Sequence, residues 1–473
     1  MKIAGRKDEV KILLDVVKKD NSAFLAVYGR RRIGKTYLIR EVYKEKIIFE
    51  CSGLHQKDFS QQLENFWLTL IEANPKEKPS LPQTWLQAFS LLKLYVKSLE
   101  NIEKKVIFLD EIAWFDTAKS GFLAALDNFW NQFCSKRDDI ILVICGSAAS
   151  WIINKIINDR GGLHNRITRR IQLMPFTLKE TKEFLEMNKV QLVNKDIVRL
   201  YMSVGGIPFY LKDIQSGQSV AQILDSMFFN SQATLINEFS NLYASLFKNS
   251  EIHVSIIEAL AKKNKGLTRQ EIIEATGIKS GGGLTNSLQE LIQCGFVKII
   301  LPINKTKEDS LHRLVDEYSV FYFKFLQNNK INSSWLQFSN KPAYKIWTGY
   351  AFENLCFKHI YQIKKGLGIN GIISNEYSWI HKGTKEEKGT QIDFIIDRDD
   401  NCINVLELKF HDGIFEINKN YAEQLREKVS IFREKNRVKK NIFTTIITSN
   451  GVKKNEYFLS IVTNEIEIDA LFE

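Results

Sequence analysis

Three unbroken apolar runs punctuate the first 150 positions: AFLAVY (23–28), VIFL (106–109) and IILVIC (140–145). Runs of this length, bounded by polar or glycine-containing stretches, predict short strands buried on both faces of a parallel sheet. From Thr177 to about Phe247 the spacing turns helical in LKETKEFLEM, NKDIVRLYMSV and QILDSMFFNSQATLINEF. Gly205, Gly206 and Pro208 break it once. A further helix runs to about Lys263. Thr268 then caps RQEIIEATG, with Gln270 and Glu271 in its first turn. GIKSGGG is a turn, LTNSLQELIQCG a third helix closed by Gly295, and FVKIILPI a strand. Three helices and a wing predict a winged helix-turn-helix.

An aromatic-rich region begins at 312–326, HRLVDEYSVFYFKFL. WTGYAFENLCFKHI (347–360) reads as a helix with Phe352, Leu355, Cys356 and His359 on one face. SWIHKG, QIDFIID and CINVLELKF are strand-like, YAEQLREKVSIFRE is helical, and NIFTTIIT is a last strand. The predicted order is α-β-β-β-α-β.

Composition adds limits. A chain of 473 residues exceeds one ordinary domain. Apolar content of 44% and charged content of 26% suit a globular protein in water, and no apolar run of about 18 residues predicts a membrane span. The start, MKIAGRKDEVKILL, has no apolar secretory core. Cysteines at 51, 134, 145, 294, 356 and 402 form no C-x-x-C, so neither a zinc site nor a disulfide framework is expected, and a reduced cytoplasmic setting is. The formal charge of +11 leans towards polyanions, DNA among them.

Chemistry enters directly after the first strand. GRRRIGKT (29–36) is G-x-x-x-x-G-K-T, followed by the helical spacing of YLIREVY. Gly29 permits a sharp turn and Gly34 a close approach of backbone N–H groups to a phosphate. Lys35 reaches the β- and γ-phosphates, and Thr36 offers a hydroxyl to Mg²⁺ at a helix N-terminus. Gly29, Arg30, Arg31, Arg32, Ile33, Gly34, Lys35, Thr36 and Tyr37 are the expected ATP contacts. KVIFLDE (105–111) supplies the acidic partner: Asp110 for the Mg²⁺ and Glu111 for the attacking water. Ser147, at the end of the third strand, is a candidate γ-phosphate sensor.

The order of these pieces resembles the AAA-like and STAND-like P-loop ATPases, in particular the archaeal ATPases, over roughly residues 1–245. IAGRKDEVKIL looks like that family's entry motif, with Gly5, Arg6 and Glu9 ahead of a helix bordering the adenine. GGLHNRITRRIQLMPFT (161–177) resembles the piece that carries an arginine finger, with Arg166 and Arg169 the candidates. VGGIPFYL (204–211) matches the G-x-P turn of the helical lid. The resemblance implies an α/β fold in which a P-loop parallel sheet (1–176) precedes a helical lid (177–247). The winged helix (248–305) and a further α/β domain (306–473) would follow. In the winged helix, Lys279 and Asn286 could face DNA, but the third helix has no arginine and Glu290 opposes a phosphate.

That last domain resembles the PD-(D/E)-x-K, restriction-endonuclease-like domain attached to many such ATPases. Glu407 and Lys409, two apart on one strand, share a face, while Leu406, Leu408 and Phe410 point to the other, buried one. Asp393 lies on the preceding strand. Phosphodiester cleavage needs carboxylates for a hard cation and an ammonium near the attacking water. Asp393 and Glu407, completed by Glu353, are the expected Mg²⁺ or Mn²⁺ ligands, with Lys409 catalytic and Gln424 or Tyr421 orienting the site. The proline that the family places ahead of the aspartate is absent, Gln391 and Ile392 standing there. The expected protein is an ATPase acting on DNA with metal-dependent endodeoxyribonuclease activity, assembling with itself or a partner protein. The alternative is a STAND-like ATP switch whose later domains only bind DNA or protein.

Overall fold

The computed structural model describes residues 3–473 apart from 78, 100–101, 159–162, 164, 231, 236, 248–249, 304–305, 328–333 and 384–388, and the backbone alone of Lys307 and Asp393. The chain divides into two compact units, Met1–Pro175 with Ser245–Lys248, and Phe176–Ala244 with Asn249–Glu473.

In the first unit, β1 (Ala23–Tyr28), β2 (Ile47–Ser52), β3 (Lys105–Asp110), β4 (Ile140–Gly146) and β5 (Arg169–Gln172) form one parallel sheet in the order β2-β3-β4-β1-β5. Every residue of β1, β3 and β4 is buried, which is why their sequences read as unbroken apolar runs. Lys105 is buried with them because Asp139 pairs with it at 2.7 Å. β2 alternates buried and half-exposed positions, so no apolar run announces it. The helices Phe59–Ala73, Trp85–Ser98 and Phe122–Gln132 pack through Phe66, Trp85, Phe89 and Phe122, with ring centroids 5.0 to 6.1 Å apart. The register sets Tyr28 beside Gly146 and Leu109 beside Ile144. The residues that follow β1, β3 and β4 therefore emerge together at the carboxyl edge of the sheet, where open α/β sheets place their ligands.

The second unit opens with the helix Leu178–Met187, whose Thr177 and Glu180 form a reciprocal cap. The helix Asn194–Val204 follows, and Gly205 turns the chain at φ 67°. Gly206 lies against Phe176, whose N–H donates to the Gly206 carbonyl at 2.7 Å. Helices Ser250–Ala261, Arg269–Thr276 and Gly282–Gln293 precede an antiparallel pair, β6 (Val297–Ile300) and β7 (Leu311–Leu314). Thr268 and Glu271 cap the middle helix reciprocally. β7 falls where the sequence was read as the start of the aromatic-rich region. Its four residues, LHRL, are too few and too charged to display a period.

The second sheet runs β12-β11-β10-β9-β8, from β8 (Ser374–His381), β9 (Thr390–Arg398), β10 (Cys402–Lys409), β11 (Asn441–Thr448) and β12 (Asn464–Glu467). β8, β9 and β10 pair antiparallel, and β10, β11 and β12 parallel. The helix Pro342–Lys358 precedes the sheet, and Lys419–Lys435 connects β10 to β11. Phe357 stacks on Phe394 of β9 at 4.2 Å, and Phe432 of the connecting helix is fully buried among Trp379, Ile395 and Val405. Leu406 is buried as expected, but Leu408 and Phe410, at and just beyond the end of β10, are only half-buried.

The loop after β10 is held by the helix Asn194–Val204. Lys195 Nζ donates to the carbonyls of His411 (3.0 Å) and Asp412 (2.9 Å), and Arg199 reaches Asp412 Oδ1 at 2.6 Å. Both cations lie about 6 Å from the Phe410 ring centroid. His359 accepts the Leu178 N–H at 3.0 Å, satisfying an orphan donor in the first turn of that helix.

A β-carbon at Gly206 would lie 2.0 Å from the Phe176 carbonyl oxygen, whereas one at Gly349, inside Pro342–Lys358, would meet nothing within 4 Å. Gly206→Ala is expected to lower stability by more than about 2 kcal/mol. Gly349→Ala is expected to raise it by about 0.5–1 kcal/mol. Urea denaturation of the two variants reads both.

Candidate functional site

The loop between β1 and the helix Lys35–Tyr43 is built by backbone constraint. Gly29 has φ 150°, and a β-carbon there would lie 2.2 Å from the Leu173 carbonyl oxygen. Gly34 caps the helix in a left-handed conformation at φ 88°, and Arg32 is left-handed at φ 70°. Lys35 is buried, its Nζ donating to the carbonyls of Gly29 (3.0 Å) and Arg30 (2.9 Å). An ammonium folded over its own loop in this way needs only a rotation of its stem to follow an incoming phosphate. Arg30 and Ile33 are buried, while Arg31 and Tyr37 are exposed. The Arg6 guanidinium donates to the Ile33 carbonyl at 3.3 Å and stands 3.7 Å from Glu9. The GR-x-x-E segment is thus fastened to the loop.

Thr36 Oγ1 donates to Asp110 Oδ2 at 2.8 Å, which joins the helix start to the end of β3. The other oxygen, Oδ1, accepts the Glu111 N–H at 2.9 Å. A hydroxyl and a carboxylate in contact, beside a helix N-terminus, are the hard oxygen donors that Mg²⁺ takes, so Thr36 and Asp110 fit that ion. Glu111 is left-handed at φ 46°. Its Oε2 accepts both the Ser147 N–H (3.1 Å) and the Ser147 hydroxyl (2.9 Å). Ser147, read as a phosphate sensor, here holds the glutamate. Cys145 is fully buried beside Asp110; burial first, and that carboxylate after it, push its thiol well above the ordinary range.

Arg166 and Arg169 are both exposed. Arg169 pairs with Leu25 and Gln172 with Tyr28, so Arg169 sits three residues, about 10 Å of strand, before the level at which the loop leaves β1. Its guanidinium donates to the Thr168 carbonyl at 2.8 Å. In the same motif, residues 159–162 and 164 lie outside the described residues.

A second charged centre lies on β10. Glu407 Oε1 accepts from Tyr421 Oη at 2.6 Å and faces Lys409 Nζ at 2.9 Å, and Oε2 accepts from Lys428 Nζ at 2.8 Å. Burial pushes the carboxyl pKa up, but the two ammonium groups and the Tyr421 hydroxyl outweigh it and bring it to about 2. Burial, then Glu407, push the Tyr421 phenol far above its usual range. Gln424 is exposed. Glu353, expected to complete a cation shell, is paired with the buried Arg313 at 3.0 Å. The side chain of Asp393 lies outside the described residues; its backbone sits in β9 beside Phe394, which stands opposite Leu406. Among the described residues no group of three or more His, Cys, Asp or Glu is placed to hold a metal ion. Lys428 was missed in the sequence, although its signal was there. Tyr421, Leu425, Lys428 and Phe432 recur at helical spacing on the inward stripe, where a lysine is out of place.

On the helix Gly282–Gln293, Thr285, Asn286 and Gln289 are exposed, as is Lys279 in the preceding turn. Glu290 bonds His253 Nε2 at 2.7 Å. Among the described residues no helix is long and apolar enough to cross a membrane.

Residues 3–214 match the family described as an ATPase domain predominantly from Archaea. The match takes in the phosphate loop, β3 and the helices as far as Asn194–Val204. The chain is 24% identical over 416 residues to an uncharacterized protein of Methanocaldococcus jannaschii, MJECL04, covering 86% of this chain and 87% of that one. It is 21% identical over 318 residues to an uncharacterized ATP-binding protein of the same organism, MJ0074, covering 58% and 85%. Among solved structures, the Walker-type ATPase PABY2304 of Pyrococcus abyssi aligns with a TM-score of 0.48 and 17% identity, over 68% of this chain and 96% of that one. The Aeropyrum pernix ORC2 protein aligns at 0.40 and 15%, over 75% and 95%.

The depressed Glu407 pKa gives a pH dependence with a definite sign. Its contribution to stability is fully present above the ordinary value of 4.5 and is lost as pH falls from there through about 2. The full loss is on the order of 3 kcal/mol. Chemical denaturation at pH 6, 4 and 3 is expected to show wild type weakening more steeply than Glu407→Gln.

Proposed function

We propose that this protein binds and hydrolyses ATP and acts on DNA through its second unit, where the β10 centre belongs to a metal-dependent phosphodiesterase. The observation that carries the first half is the bond from Thr36 to Asp110, with Lys35 folded over the loop between them. Lys35 would neutralise the β- and γ-phosphates, and the loop N–H groups would cradle them. Magnesium, when bound, supplies charge neutralisation on the phosphates, held by Thr36 with Asp110. Glu111 would orient the attacking water once its Oε2 parts from Ser147. Arg169 begins β5 at the end away from its own loop and Arg166 lies before that strand, so a finger role for either belongs to the loop of a neighbouring copy.

Support for the second half is the placing of Glu407 and Lys409 on one face of β10, next to the strand that carries Asp393, in a sheet with α-β-β-β-α-β order. Glu407 and Asp393 would hold the cation there, and Lys409 would stand near the attacking water. The exposed polar face of Gly282–Gln293 carries no arginine and no lysine, so it favours a neutral contact over phosphate grip.

One observation favours the alternative of a regulatory switch: the Ser147–Glu111 bonds occupy the group that would activate water. A switch would turn over slowly and change its assembly with nucleotide.

Lys35→Ala is expected to abolish ATP binding. Glu111→Gln should keep binding but slow turnover by about 100-fold or more, measured as phosphate release. Plasmid nicking with Mg²⁺ or Mn²⁺ should disappear in Glu407→Ala. Absence of nicking in wild type under either metal, together with a nucleotide-dependent change of mass in light scattering, would establish the switch instead.

A further inference from the structure

Glu111 stands in a left-handed conformation at φ 46° and ψ 48°, which a residue with a side chain keeps only where its surroundings impose it. Ser147 holds the carboxylate, but the backbone needs a restraint of its own. The loop that follows β2 supplies it. The Gly53 N–H donates to the Asp110 carbonyl at 3.0 Å, and the Trp114 N–H donates to the Glu111 carbonyl at 3.0 Å, closing the short turn Ile112–Trp114. The loop passes this turn so closely that a β-carbon at Gly53 would lie 2.7 Å from the Glu111 carbonyl oxygen and 2.9 Å from the Trp114 β-carbon.

Further along the same loop, the His55 ring meets the Trp114 indole edge to face, with ring centroids 4.4 Å apart. The base that carries His55 is itself fixed. Gln62, fully buried on the helix Phe59–Ala73, accepts the Leu54 N–H at 3.0 Å and donates to the Leu54 carbonyl at 2.6 Å. The imidazole is therefore held firmly against the last residue of the turn that the Glu111 carbonyl closes. The pair is peripheral to the core, His55 being exposed and Trp114 half-buried. Its place beside the glutamate gives it a use that burial does not. We infer that Trp114, clamped by His55, is a positioning residue for Glu111: the two rings fix the backbone turn that aims the carboxylate. The inference rests on the reading of Glu111 as the group that orients the attacking water, and it makes the loop after β2 part of that apparatus.

Phosphate release by the full chain reads the effect on turnover. His55→Ala and Trp114→Ala are each expected to lower kcat by about tenfold or more, since a small misplacement of an aimed group is enough to do so. Affinity for a non-hydrolysable ATP analogue should stay within about twofold, because the phosphate loop is untouched. In a Glu111→Gln background neither substitution should lower the residual rate further, the group they aim having gone. Trp114→Phe keeps a ring against His55 and should restore most of the turnover lost in Trp114→Ala; far-UV dichroism and urea denaturation control for folding. Unchanged turnover in both alanine variants overturns the inference. So does a loss of analogue affinity alongside turnover, or a loss that carries undiminished into Glu111→Gln, since either marks a general disturbance of the sheet edge. If Glu111→Gln hydrolyses ATP as wild type does, the water-orienting reading of Glu111 falls and takes this inference with it.

Discussion

The hydrogen bond from Thr36 to Asp110 is the constraint on which the first unit turns. It can form only if β1 and β3 end at the same edge, and they do so because β4 lies between them in register with both. Each of those strands is buried on both faces, so a slip of one residue would carry Asp110 away from the helix start and expose apolar side chains nowhere able to be covered. The burial that holds the sheet together is thus also what brings hydroxyl to carboxylate. Gly29 and Gly34 then let the chain turn between them, and the Leu173 carbonyl leaves no room for a side chain at the first.

Glu407 is the counterpart in the second unit, with a different balance. A buried carboxylate is costly in isolation and becomes favourable only when both its oxygens are satisfied. Here three donors do that, two of them charged, and the group remains ionised far into acid. Asp110 answers to neutral donors, a hydroxyl and a backbone N–H; Glu407 answers mainly to cations. The first arrangement leaves room for an added positive charge, while the second already carries one in excess.

Much of this was legible in the chain. Continuous apolar runs located β1, β3 and β4 because parallel strands buried on both faces cannot alternate. Thr268 marked a helix start because a hydroxyl cap has few substitutes. β2, β7 and β12 were illegible for a common reason: short or edge strands bury too few side chains to imprint a period. Glu353 misled because helical spacing puts it at the margin of a packed face without revealing that Arg313, forty residues earlier, arrives there first. Lys428 was missed because E-x-K draws attention to one strand, whereas the second cation comes from a helix that only the fold brings near.

The likeness to archaeal ATPase domains ends at residue 214, while the compact body containing Lys195 and Arg199 runs on to the last residue. Those two side chains are seated on Phe410 and on the His411–Asp412 backbone. The matched segment and the compact unit therefore do not share a border. Scissors applied at the end of the matched segment would cut through a packed object, leaving two helices with their charged anchors and nothing to moor them to.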